Sequence, residues 1–520
     1  MQSTIDNLKR KNGVGIRVSK FVCFLSVFTL CIGSYSVSAQ TPSETPPPPS
    51  AASSVTIPEV KEMKLPNGLK VVVVQKRGLP LVTASLLVKA GSRDENKKQG
   101  GLASITASLL TKGSGFRSST DIAEQIEFLG GSINSGSGWE SSTVSVNVMK
   151  NDLGTALSIM SDSAIRPSFP TNEIKLLKKQ FLDSLKVGLK QPGSLLSFVS
   201  SIYSYDEHGI TPKTIRRINR ARIVSFHREQ YRPDNSVLIF TGDVSEKTAF
   251  GFAKLFFGGW ENSPYSPPKG IKNSVEEKLE AKTTAIIKRM LVIDLPNSGQ
   301  AAVGYAKRLD SGRIICESED TINVHCLSSA IYYPAVVLNS VLGGGYSARL
   351  NQEIRLKRGL SYGARSGFAW RGWETNFSAT TQTKNESAAQ VAELIKIEIE
   401  KLANTSISAK EMKPRKAVVT GGFGRGLQTN NGLAARLRGL YLYNLNPNEL
   451  NSYMKKVGEV SDDRIKQFAS DNLTGGDLII VGDAKLFMKD LKKRFPARKI
   501  ELIKASNLDL NRSNLKKRGR

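Results

Sequence analysis

Histidine is nearly missing from this chain, with three in 520 residues, and cysteine is almost as rare, with four. The histidines, His208, His227 and His325, show no pair at metal-ligand spacing, which argues against a zinc site built in this chain. Each reads as a surface or turn residue. Two of the four cysteines, Cys23 and Cys31, fall in the amino-terminal segment and leave Cys316 and Cys326 for the rest, and beyond the amino terminus no apolar run reaches the roughly 20 residues a membrane-spanning helix needs. Acidic residues are also outnumbered, 46 against 74 lysines and arginines, a formal charge of +28. That balance invites a nucleic-acid reading, but no helix-turn-helix, zinc-finger or ribonucleoprotein signature accompanies it, so no nucleic-acid partner is expected. Basic faces drawn to anionic envelope surfaces or to an acidic partner account for the charge.

What is present begins with a leader. Lys9, Arg10, Lys11, Arg17 and Lys20 precede an uncharged apolar run over residues 21–37 that ends in Ser-Ala39. Residues 1–39 read as a secretory signal peptide, with an uncleaved anchor as the alternative, so the protein is expected to be exported to the periplasm. Residues 40–58, with four consecutive prolines at 46–49, read as an extended tether. In an exported chain Cys316 and Cys326, which flank a polar stretch, are expected to form a disulfide closing a surface insertion.

The rest contains two similar halves. A helix-like run over residues 217–226 leads through Tyr231 into a buried strand and Gly-Asp at 242–243. Residues 460–468 lead in the same way into Gly-Asp at 482–483. Such spacing fits a duplicated domain. The expected domains are 59–264 and 285–500, joined by a Pro-rich and charged linker at 265–284 and followed by a basic tail at 501–520. Residues 63–74 read as two strands around an Asn-Gly turn, 82–88 as a strand, 101–113 and 120–129 as helices, 132–148 as an alternating strand and 172–188 as an amphipathic helix. Strands grouped with helices predict an α+β fold of two homologous domains, each a mostly antiparallel sheet packed with helices.

Ala90-Gly-Ser-Arg-Asp-Glu95, the helix at 101–113, Leu129-Gly-Gly-Ser-Ile-Asn134, Tyr231-Arg-Pro-Asp-Asn235 and residues 342–363 together resemble the insulinase-like (pitrilysin) metallopeptidase family. That family carries His-x-x-Glu-His on its catalytic helix. The resemblance places its first histidine on Ser104, its glutamate base on Ala107 and its second histidine on Ser108, with the third ligand at or next to Ser184. No zinc is therefore expected in this chain, and neither serine has a base on this helix to make it a nucleophile. Arg355 and Tyr362 match the family's arginine and tyrosine, which by resemblance hold the substrate main chain and stabilise the oxyanion. Ser132 and Asn134 fall on the edge strand that in the family accepts substrate as an added strand, although its Gly and Ser content equally fits a structural edge. Residues 343–349 occupy the place of a glycine-rich substrate loop in mitochondrial processing peptidase, or else form a flexible helix entry. The Gly-rich stretch at 421–426 lacks the context of a dinucleotide fingerprint.

The resemblance thus implies the non-zinc, substrate-binding subunit of a heteromeric peptidase, with peptide as substrate and zinc in an insulinase-like partner subunit. The alternative is an inactive homologue serving as a scaffold in an envelope complex.

Overall fold

Valines 71–74 form a β-branched run that suits a pleated, buried surface better than a helix. In the computed structural model, which describes residues 56–207, 209–263, 289–310 and 331–517, they lie fully buried in β2 (Lys70–Gln75). β2 pairs antiparallel with β1 (Lys61–Lys64) around a turn in which Gly68 adopts φ +96°. The leader, most of the tether, the linker, His208, His325, Cys316 and Cys326 lie outside the described residues.

The first half continues with β3 (Leu81–Val88), α1 (Leu102–Leu109), the two-residue strands β4 (Gly113–Ser114) and β5 (Arg117–Ser118), and α2 (Ser119–Phe128). Next come β6 (Ser132–Ser137), β7 (Ser142–Met149), α3 (Leu153–Ile165), α4 (Thr171–Gly188), α5 (Pro192–Tyr203), α6 (Pro212–Arg217) and α7 (Arg220–Gln230). β8 (Ser236–Gly242) and α8 (Glu246–Phe257) close it. Its sheet runs β1-β2-β8-β3-β7-β6, with β2–β8 as its parallel pair. The alternating run at 132–148 is thus two strands rather than one. Residues 138–141 reverse the chain, and β6 pairs back on β7.

The second half holds β9 (Met290–Asp294), β10 (Ala301–Leu309), α9 (Tyr332–Leu342), β11 (Ala364–Trp370) and β12 (Thr375–Thr383). Then follow α10 (Ala388–Asn404), α11 (Ala409–Gln428), α12 (Asn430–Leu442), α13 (Glu449–Gly458), α14 (Asp462–Asn472), β13 (Asp477–Gly482), α15 (Ala484–Arg494) and β14 (Ile500–Lys504). The sheet order is β11-β12-β10-β13-β9-β14. Each half is a mostly antiparallel sheet covered by helices, an α+β arrangement. The glycines at 421–426 lie inside α11.

Each half lends a helix to the other. α5 buries Leu195, Leu196, Val199 and Ile202 against Leu291, Ile293, Ala302 and Val481 of the second sheet. α12 packs on β3 and β8 of the first, with Leu433, Leu437 and Leu440 in one core with Val72, Val74 and Ile239. Burying each such side chain contributes about 1.5–3 kcal/mol. Hydrogen bonds fix the second contact: Asn430 Nδ2 donates to the Leu81 carbonyl at 2.8 Å, and Arg438 Nη1 to Ser85 Oγ at 2.9 Å.

Two expected boundaries move. Ile57 is buried, and its N–H donates to Asn451 Oδ1 at 3.0 Å, so the fold begins inside the expected tether. The tail boundary at 501 cuts through β14, which pairs parallel with β9, and Leu515 beyond it is fully buried. β14 buries Ile503 alone and leaves Leu502 exposed, so it gives little of the apolar alternation of a strand. No described helix is long and apolar enough to cross a membrane.

Candidate functional site

α1 starts where Gly101 takes φ +97°, a left-handed conformation that glycine adopts without strain. The first N–H groups of a helix lack partners within it. Glu95 supplies them: its carboxylate accepts from Gly101 N–H at 2.9 Å and Ala103 N–H at 2.6 Å. Burial pushes its acid up to about 7 despite these two bonds, which favour the ionised form.

Along α1, Ser104 and Ser108 are half-buried on one face, four residues apart, and Ala107 is fully buried. The helix packs against β6, α7 and α4. Ser184 is exposed on α4 beside exposed Asp183. This donor set does not fit zinc: it offers neutral hydroxyls, a methyl and one solvated carboxylate, with no imidazole. Among the described residues no three His, Cys, Asp or Glu side chains converge to hold a metal.

β6 is an edge strand, paired only with β7. Ser132 and Asn134 are exposed on it, and none of its six residues is buried. Its free backbone edge can in principle pair with an extended peptide.

In the second half a π-helical turn, Asn351–Leu356, carries Arg355. Asn351 ties this turn to β11 by accepting from Ala364 N–H at 2.8 Å. Arg355 places its guanidinium 4.9 Å from the Tyr346 ring centroid, a cation–π contact that orients an otherwise free arginine. Tyr362 lies in the loop before β11 and is 89% exposed, so its hydroxyl faces solvent. Residues 343–348 link α9 to this helical segment. A Cβ on Gly343 would stand 2.4 Å from the Ser366 nitrogen, so close backbone approach requires glycine there. Among the described residues no hydrogen bond, ion pair or ring contact joins Ser104 or Ser108 to Arg355 or Tyr362.

His227 departs from the expected surface or turn position. It sits in α7, stacked on Tyr231 at 4.7 Å and edge-on to Phe169 at 5.5 Å, with Nε2 2.8 Å from the Ala164 carbonyl. Burial pushes its pKa down to about 4, and the Ala164 bond opposes that only partly.

Sequence reasoning also missed a clasp between the halves. Glu140, at the tip of the β6–β7 hairpin, pairs with Arg93 at 2.7 Å. The same carboxylate accepts from Gly372 N–H at 3.1 Å and Tyr443 Oη–H at 2.8 Å, both in the second half. Beside it Arg371 stacks 4.2 Å over Trp139 and pairs with Glu207 and Glu374. Nothing in the sequence marked these residues, because the pairing joins two hairpin tips more than two hundred residues apart.

Residues 70–201 match the model of insulinase, peptidase family M16, and residues 217–418 that of the peptidase M16 inactive domain. Together these span well over half of the chain, which belongs to the insulinase-like M16 peptidase family. Its sequence contains no His-x-x-Glu-His, and its second match is to the family's inactive domain. An uncharacterized zinc protease of Bacillus subtilis, YmxG, is 23% identical over 386 residues, covering 72% of this chain and 87% of that protein. One from Rickettsia bellii is 28% identical over 354 residues, covering 65% of this chain and 77% of its own length. The crystal structure of a peptidase M16 inactive domain from Pseudomonas fluorescens shares the fold at a TM-score of 0.70 and 23% identity, covering 81% of this chain and 98% of its own. A protease from Helicobacter pylori does so at 0.70 and 18%, covering 82% and 100%.

Proposed function

We propose that this chain is the non-zinc, substrate-binding subunit of an exported insulinase-like metallopeptidase that hydrolyses peptides together with a zinc-bearing partner. One observation carries the reading. Arg355 lies over the Tyr346 ring and Tyr362, seven residues on, is exposed, while the helix matching the family's zinc position offers only Ser104, Ala107 and Ser108. The chain keeps the groups that touch substrate and lacks those that hold metal.

Arg355 would hold a substrate carbonyl, and the Tyr362 hydroxyl would donate to the oxyanion that forms as the peptide carbonyl is attacked. β6, through its backbone and through Ser132 and Asn134, would take the peptide as an added strand. The zinc belongs to the partner, and the leader at 1–39 supports a periplasmic location.

Co-expression with a partner carrying the intact zinc motif, followed by a peptide-cleavage assay, tests this. Activity should require both chains, and Tyr362→Phe should lower kcat by about 100-fold, in the range for loss of one oxyanion donor. Full activity of the partner alone overturns it. A scaffold role is the second reading, favoured by a β6 with no buried side chain; a stable complex whose cleavage ignores Tyr362→Phe would select it.

A further inference from the structure

A cavity of about 350 Å³ opens between the loop entering α1, the α5–α6 connection and the carboxy-terminal strap after β14. Five cations line it: Lys97, Lys98, Lys213, Arg217 and Arg512. None of the five is in an ion pair among the described residues. The nearby carboxylates are already engaged. Glu207 is held by Arg371 and by Asn376 Nδ2 at 2.7 Å, and Asp206 also has a partner. Asp509, near enough to feel Lys213 and Arg512, accepts both the Asn511 N–H at 3.0 Å and its Nδ2 at 2.8 Å.

The walls are fixed. Leu515 is fully buried, and its carbonyl accepts from Asp509 N–H at 2.9 Å. Asn511 Oδ1 accepts from Thr211 Oγ1 at 2.8 Å, pinning the strap that carries Arg512 to the base of α6. The first half therefore supplies four of the cations and the strap the fifth, across a volume suited to a small molecule.

We propose that this cavity binds a phosphate-bearing anion, with more than one negative charge, between Arg217 and Arg512. Five cations against two lining carboxylates, Asp206 and Glu207, of which Glu207 is already paired with Arg371, leave an excess of positive charge that favours a compact polyanion. A phosphate group brings nearly two charges and three acceptor oxygens, and guanidinium forks meet it bidentately while lysines act as point charges. The phosphate comes either from a soluble phosphorylated compound or from a lipid head group. Neither source depends on the peptidase reading.

Calorimetric titration of the purified chain with inorganic pyrophosphate is the test. Saturable one-to-one binding is expected, weakening with added salt, and the Arg217→Ala/Arg512→Ala double variant should bind at least about 10-fold more weakly. Lys410→Ala, exposed on α11, should bind as the parent does. In parallel, capture by vesicles containing phosphatidylglycerol but not by phosphatidylcholine alone, lost in the same double variant, assigns the head-group source. Circular dichroism and thermal melting of each variant separate lost binding from lost fold. Lack of saturable binding to either probe overturns the proposal, as does binding that the double variant leaves unchanged. Tighter binding of a polyglutamate peptide than of pyrophosphate also overturns it.

Discussion

The two halves share one plan and differ where chemistry would sit. Both place a helix beside the edge hairpin of the sheet, α1 over β6 and α9 against β11. α9 is closed by bulk, with Tyr332, Tyr333 and seven further residues of its eleven buried. α1 is closed by small groups, with half-buried serines around Ala107. Beyond the edge, the first half presents Ser132 and Asn134 on a weakly packed strand, and the second presents Arg355, Tyr346 and Tyr362. The outer strands differ too: β1 enters antiparallel from the amino-terminal side, whereas β14 returns in parallel from the carboxy terminus. A common architecture therefore survives different side chains on this helix, because the sheet and the lent helices hold it.

The lent helices give the largest expected effect. Leu196 on α5 and Leu437 on α12 are buried on opposite sheets, so Leu196→Ala and Leu437→Ala should each destabilise by about 2–5 kcal/mol. If the halves depend on each other, either variant lowers one shared unfolding transition measured by denaturant. Two separated transitions, with one half unmoved, would break the picture of mutual covering.

The clasp should weigh less. Glu140→Ala removes the acceptor of the Gly372 N–H, leaves the Tyr443 hydroxyl its longer bond to the Trp370 carbonyl at 3.3 Å and leaves Arg93 only its 3.9 Å pairing with Asp94, a loss of about 1–3 kcal/mol. Hydrogen exchange should rise at both hairpin tips, residues 138–141 and 371–374, and not in β9 or β13. Unchanged exchange at 371–374 would show that the halves meet there without holding.

Much of the fold was legible because periodicity and turn chemistry are local. The Asn67-Gly68 turn, the valine run and the Gly-Asp endings mark strands whose neighbours need not be known. The hairpin at 132–148 escaped, since the Ser-Gly alternation of β6 runs on to Gly138 and polar residues continue through 141 into β7. β14 escaped because it is short, carries Glu501 and Lys504 among its five residues and buries only Ile503. Ser104, Ala107, Ser108, Arg355 and Tyr362 were singled out as candidates through the family pattern, not through their own chemistry. Glu95 caps α1 from six residues before Gly101, and a lone carboxylate at that distance looks like any other. Glu140 and Arg371 answer each other only in three dimensions.

The smallest expected effect separates the halves by pH. Ile223 and Phe226 of α7 correspond to Ile465 and Phe468 of α14, which sets His227 against Ala469 and Tyr231 against Leu473. The first half thus carries a titratable group inside a contact that the second half fills with aliphatic side chains. The native imidazole titrates near 4, below the ordinary value of 6.5, because its packing between Phe169 and Tyr231 disfavours the charged form. Between those values the unfolded chain takes up the proton and the native chain does not, so stability falls as pH drops from 6.5 towards 4 and is fully present above 6.5. His227 retains some solvent contact, and the loss should be about 1–2 kcal/mol. His227→Ala makes the first half resemble the second at this position: it lowers stability at neutral pH, but the difference from the parent should shrink as the solution is acidified. Urea unfolding at several pH values between 4 and 7 measures that difference. A constant gap across the range would mean that His227 is protonated in the native fold as readily as in the unfolded chain, and that its ring packing does not exclude charge.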